Sequence, residues 1–136
     1  MKVTVDANIL FSALIRKGKT RKIWFNPEIE LYAPFFILQE FRKYKDYLRK
    51  KSGLDAEDFA DLSGNLISQL LFVKDNELGP FLPAAASLHS DVKDLLYLAC
   101  ALKEDTIIWS NDKGFKAQQR VKILTTDEME KEFGSL

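Results

Sequence analysis

Hydrophobic and polar positions along the chain alternate between short apolar runs and longer stretches with apolar residues three or four apart. Val3, Thr4 and Val5 form a β-branched run that predicts a short buried strand, and the run stops at Asp6. Ile9, Leu10, Phe11, Ala13, Leu14 and Ile15 follow densely enough to predict a helix packed on a sheet. After a break around Gly18, Thr20 is positioned to cap a short helix carrying Ile23, Trp24 and Phe25, which Asn26 and Pro27 end. Residues 30–33 predict a second strand. A long helix is then expected from Pro34, with Pro in its first turn and Ile37, Phe41, Tyr44 and Leu48 as its apolar stripe. Gly53 closes that helix, and Asp55 caps the next, whose stripe is Phe59, Leu62, Leu66 and Leu70.

Residues 71–73 predict a third strand. Gly79, Pro80 and Pro83 mark a turn and a short Ala-rich helix. The strongest helical signal is SDVKDLLYLACALKED, started by Ser90 or Asp91, with Leu95, Leu98, Ala99 and Leu102 facing one way. Residues 106–109 predict a fourth strand that closes on Ser110, Asn111 and Asp112. Residues 122–124 predict a fifth, before a final helix capped by Thr126 and Asp127 with Met129 and Phe133 inward. This alternation predicts one α/β domain over residues 1–136, a parallel five-stranded sheet flanked by helices on both faces. With the first three strands running outward one way and the last two the other, the order is 3-2-1-4-5. Asp6 and Asp112 then face each other across the switch point.

That placement gives several carboxylates two readings. Asp6 either caps the first helix or ligates a metal at the carboxyl edge of the sheet, where open α/β folds place their sites. Glu40 falls about 60° from Ile37 on the helical wheel, at the border of the stripe, and can point along the sheet edge. Asp91 and Asp94 favour the N-terminus of their helix, by several tenths of a kcal/mol each, and Asp94 can also converge with Glu40 on the cleft between Asp6 and Asp112. Four carboxylates in one cleft repel, and burial raises their pKa values; a divalent cation removes that conflict.

Composition narrows the chemistry. The longest apolar runs fall well short of the roughly 20 residues that span a bilayer, and the N-terminus has no signal-peptide pattern, so a cytoplasmic protein away from membranes is expected. Cys100 is the lone cysteine and His89 the lone histidine, which argues against zinc sites built on several imidazoles. A bound metal must take oxygen ligands, which suits Mg²⁺ or Mn²⁺. The zero net charge conceals segregation. Residues 1–52 carry 12 Lys and Arg against 5 Asp and Glu, whereas residues 53–136 carry 8 against 15. The basic residues cluster in 16–22 (RKGKTRK) and 41–51 (FRKYKDYLRKK), either as solvated helix faces or as a phosphate-tracking surface.

Taken together, these fragments resemble the PIN-domain family of nucleases over essentially the whole length. VDANILFSALI resembles the family's opening strand and helix, with Asp6 as first acid and Asn8 as its companion. Glu40 in LQEFRKY matches the second acid, Asp94 in SDVKDLLYLACAL the third, and Asp112 in WSNDKGF the fourth. Ser110 matches a small hydroxyl position, and Asp91 an additional acid three residues before the third.

The resemblance implies metal-dependent hydrolysis of RNA phosphodiester bonds, leaving a 5′-phosphate and a 3′-hydroxyl. Asp6, Glu40, Asp94 and Asp112 would hold Mg²⁺ or Mn²⁺, with Asp91 as a further ligand and Asn8, Ser110 and Asn111 supporting them. Arg16, Lys17, Lys19, Arg42, Lys43 and Lys113 are the candidate contacts to RNA, single-stranded or structured. Small members of the family resemble VapC-type toxins, which implies an antitoxin partner, and members often form homodimers or higher homo-oligomers. Trp24, Phe25, Phe35 and Phe36 are candidates for such a surface, or for the core. Rival readings are an RNA-processing nuclease without an antitoxin, a nucleic-acid-binding module of the same fold, and a phosphatase or receiver domain. Asn8 stands where an aspartyl phosphatase needs a second Asp, and Val5 where a receiver needs paired acids.

Overall fold

The computed structural model describes residues 1–89 and 91–133. Its strands are β1 (Lys2–Val5), β2 (Glu30–Pro34), β3 (Leu70–Val73), β4 (Ile107–Trp109) and β5 (Ile123–Leu124). They pair in parallel in the order β3-β2-β1-β4-β5, as the alternation of elements predicts. In β1, Val3, Thr4 and Val5 are all fully buried, because helices cover both faces of the central strand. The one polar side chain among them is satisfied: Thr4 Oγ1 lies 2.6 Å from Thr106 Oγ1, and its hydroxyl also approaches Cys100 Sγ at 3.6 Å. Cys100 is thus core, and burial pushes its thiol up to about 12.

The helices are α1 (Ala7–Ile15), α2 (Lys19–Trp24), α3 (Phe36–Ser52), α4 (Ala56–Ser68), α5 (Asp75–Leu78), α6 (Leu82–Leu88), α7 (Val92–Glu104) and α8 (Thr126–Phe133). Asp55 caps α4 through Asp58 N at 2.8 Å. Gly53 ends α3 with φ 72°, the left-handed conformation that glycine tolerates best. Arg49, Lys50 and Lys51 fill the last turn of α3, where cations suit the helix dipole.

Several boundaries differ from expectation. Pro34 ends β2 instead of opening α3, because its carbonyl-edge position pairs with Val73 of β3. Leu70 belongs to β3 and not to the stripe of α4. Gly18, not Thr20, precedes α2. The cap of α8 is Thr125, one residue earlier than expected. Thr125 Oγ1 accepts from Glu128 N at 3.2 Å while Glu128 Oε1 accepts from Thr125 N at 3.0 Å, a reciprocal capping box. Asp91 caps α7; Ser90, the other expected start, lies outside the described residues. On α7 the whole run from Tyr97 to Ala101 is buried, not one stripe, because the helix is sandwiched between the sheet and α5–α6. Trp24 is buried against Trp109, with ring centroids 6.2 Å apart, and its indole N–H donates to Leu66 O at 2.9 Å. Phe36 packs edge-on to Tyr97, so of the four aromatics considered for a surface only Phe25 and Phe35 are exposed.

Candidate metal centre

Adjacent strands β1 and β4 place their following residues side by side, Val5 opposite Trp109 and then Asp6 beside Ser110. Asp6 N donates to Trp109 O at 3.4 Å, so the ladder runs one residue past the strand ends. Asp6 is 5% exposed. Its two oxygens do two jobs at once: Oδ1 caps α1 by accepting from Ile9 N at 3.1 Å, and Oδ2 accepts from the Ser110 hydroxyl. The same hydroxyl oxygen accepts from Asp112 N at 3.0 Å. One serine therefore ties the first acid to the backbone of the fourth. Burial raises the Asp6 carboxyl from 3.8 to about 6; the bonds to Ser110 and Ile9 oppose the rise, and the charges of Asp112 and Asp94 add to it.

Asp6, Glu40, Asp91, Asp94 and Asp112 line one cleft of about 440 Å³ beyond the carboxyl ends of the strands. Glu40, in the second turn of α3, accepts from the Tyr97 hydroxyl at 2.9 Å. Burial, reinforced by the charge of Glu40, holds that phenol well above the ordinary tyrosine range. Asp94 sits in the first turn of α7, and burial raises its carboxyl to about 6. The neighbouring charge of Asp91 adds to the shift and His89 opposes it. Asp112 Oδ1 accepts from Gly114 N at 2.8 Å, and Asp91 Oδ1 accepts from Lys93 N at 3.0 Å.

The donor set is all carboxylate oxygen, without a thiol, and the two most desolvated members resist ionisation in the absence of a counter-charge. That chemistry fits a hard divalent cation. Among the described residues no three acidic, His or Cys side chains converge to a common ligating distance, and the carboxylates are held by protein partners instead.

The expected supporting residues divide. Ser110 is fully buried between two of the acids, and Asn8 lines the cleft as an exposed side chain. Asn111 turns away from the site. Its amide donates to Thr126 Oγ1 at 3.1 Å and its oxygen accepts from Thr126 N at 2.8 Å, so it anchors α8 instead.

The opposite wall is aromatic. Phe11 and Ile15 of α1 meet Tyr44, Tyr47 and Leu48 of α3, with Phe11 and Tyr44 edge-to-face at 5.7 Å. Tyr44, expected in the buried stripe, is 37% exposed and Tyr47 56% exposed, because that side of α3 borders the open cleft and not the sheet. Arg42 and Lys43 are exposed on the same helix, and Lys43 Nζ lies 5.4 Å over the Tyr44 ring. Arg16 and Lys19 line a neighbouring hollow that shares Ile15 with the cleft. Lys19 is committed to an ion pair with Asp127, while Lys17 and Lys113 are exposed. Lys93, which charge clustering does not single out, is the one cation among the described residues that lines the cleft. His89 and Tyr97 touch the acids although no spacing in the sequence marks them: Tyr97 reaches Glu40 from another helix, and His89 meets Asp91 and Asp94 through the loop that opens α7.

A protein of the same fold is present in the crystal structure of VapBC2 from Rickettsia felis bound to a DNA fragment from their promoter. It is 16% identical, with a TM-score of 0.68, and the match covers 92% of this chain and 98% of that one. No curated protein matches the chain. The family model for the PIN domain aligns with residues 4–134, a span that contains all five acids of the cleft, and the chain belongs to the PIN-domain family of nucleases.

Proposed function

We propose that the chain is a metal-dependent endoribonuclease in which Asp6, Glu40, Asp94 and Asp112, with Asp91 at the rim, hold Mg²⁺ or Mn²⁺. The observation that carries this reading is the gathering of carboxylates from separate segments into one cleft, with Asp6 and Asp94 raised to about 6. When bound, such an ion acidifies water and neutralises charge on the phosphate. The chain's own residues do the positioning. Ser110 fixes the Asp6 carboxylate by donating to it, and Tyr97 does the same for Glu40. Tyr44 and Tyr47 offer ring faces on which unpaired bases can stack. Lys93 at the mouth, with Arg16, Lys17, Arg42, Lys43 and Lys113 outside it, supplies positive charge for the flanking phosphates. Lys19 contributes less while Asp127 holds it.

The likeness of fold to VapBC2 supports reading the chain as the toxin of a toxin–antitoxin pair, with an antitoxin as partner. Among the described residues no helix is long and apolar enough to cross a membrane. A homodimer is also proposed. Leu71 is 46% exposed on edge strand β3, and Phe35, stacked on Phe72 of the same strand at 4.8 Å, is exposed as well, so the sheet edge offers apolar side chains to a second copy.

The deciding experiment is cleavage of single-stranded RNA with Mn²⁺ and with EDTA. Activity should require the metal, vanish in Asp6→Asn and Asp94→Asn, and persist in Asp58→Asn on the exposed face of α4. Binding without cleavage in every metal would favour a nucleic-acid-binding module of this fold.

A further inference from the structure

His89, the chain's only histidine, stands between the segments that carry the third and fourth acids. Its side chain is 13% exposed, and both ring nitrogens face a partner. Nδ1 accepts from Asp91 N at 3.0 Å, in the loop that opens α7. That bond uses the Nδ1 lone pair, so the proton of the imidazole lies on Nε2. Nε2 in turn lies 3.4 Å from Asp94 Oδ2. The ring also tilts against Phe115 at 5.7 Å, in the turn Lys113–Ala117 that follows Asp112. Gly114 of that turn leaves the necessary room: a Cβ there would lie 3.2 Å from Asp112 Oδ1 and 3.5 Å from His89 Nε2.

We propose that His89 is a positioning residue of the metal centre, bolting the first turn of α7 to the Asp112 turn and aiming the Asp94 carboxylate with its Nε2–H. The inference rests on the metal-site reading above. A ligating carboxylate with a free second oxygen rotates, and an N–H fixed from behind by Asp91 restricts that rotation before an ion arrives. At 3.4 Å the approach is longer than a hydrogen bond, so it biases the orientation of Asp94 by the pull of the Nε2–H dipole and leaves its lone pairs available to a cation. The ring's grip on Phe115 and the missing Cβ of Gly114 keep the Asp112 turn at the same distance. Removing such a partner typically weakens metal binding by about 10–100-fold.

The test is calorimetric titration of the metal-free protein with Mn²⁺ alone, on wild type, His89→Phe and His89→Gln. Phe keeps a ring against Phe115 but has no N–H; Gln carries an amide N–H at the reach of Nε2. His89→Phe should bind Mn²⁺ about 10–100-fold more weakly, and His89→Gln should recover to within a few-fold of wild type. Equal affinity in wild type and His89→Phe would overturn the proposal, and so would equal losses in both variants, which would mark a packing effect. Should His89→Phe fail to fold by circular dichroism, His89→Leu takes its place in the same comparison. Wild type that binds no Mn²⁺ would remove the metal-site reading itself, a result distinct from either of these.

Discussion

Replacing Asp6 by Asn should make the metal-free protein more stable while destroying its activity. A folded-state pKa of about 6 against an ordinary 3.8 means that the ionised carboxylate is about 3 kcal/mol worse off in the fold than in the unfolded chain near neutral pH. Asn removes that charge and keeps an oxygen to cap α1 through Ile9 N, a role it fills as well as Asp. It cannot accept from the Ser110 hydroxyl, and the lost bond costs about 1 kcal/mol. The net gain is about 2 kcal/mol, roughly 6 °C in Tm for a domain of this size. The sign fixes the pH dependence. A raised folded pKa means that the folded state holds the proton more tightly, so the wild-type penalty grows as pH rises from about 4 to about 6 and is complete above that. Near pH 4.5 the penalty falls to about 1 kcal/mol, the lost bond cancels it, and the two proteins should melt together. Thermal melts in EDTA at the two pH values measure this directly, and adding Mn²⁺ should reverse the order by stabilising only the wild type. An Asp6→Asn protein that melts lower than wild type near pH 7 in EDTA, or a gain that ignores pH, would refute the argument that desolvated charge dominates this site.

Other perturbations separate the remaining parts. Ser110→Ala removes a hydroxyl that donates to Asp6 and supports Asp112 N; denaturant titration should show a loss of about 2 kcal/mol, because buried partners are left unsatisfied. Tyr47→Ala should weaken single-stranded RNA binding, read by fluorescence anisotropy in EDTA, by about 1–3 kcal/mol, whereas Tyr47→Phe should bind as wild type does. The double change Arg42→Gln with Lys43→Gln should make the slope of log K against log salt shallower by about 1–1.5 and leave the Mn²⁺ affinity unchanged.

The sequence by itself determined the sheet and the places where chemistry is located. Buried β-branched runs such as Val3 to Val5, separated by helical spacing, force a parallel sheet covered on both faces, and an acid that ends such a run lies at its carboxyl edge. Periodicity encodes this because burial against a sheet is a local, repeating demand. Tertiary structure alone decided which side chains serve the cleft. Tyr44 has the spacing of a core residue, yet it is exposed because it lines the cleft wall against Phe11 of α1. Asn111 sits one residue from Asp112 and turns to Thr126 instead, while His89 and Tyr97, each silent in the local pattern, reach Asp94 and Glu40. The Tyr97 and Asn111 pairings depend on where two distant segments come to rest, and no periodicity along one segment records the position of the other. The His89 contact is near in sequence, but the shape of the loop that enters α7 sets it, and helical spacing does not encode that.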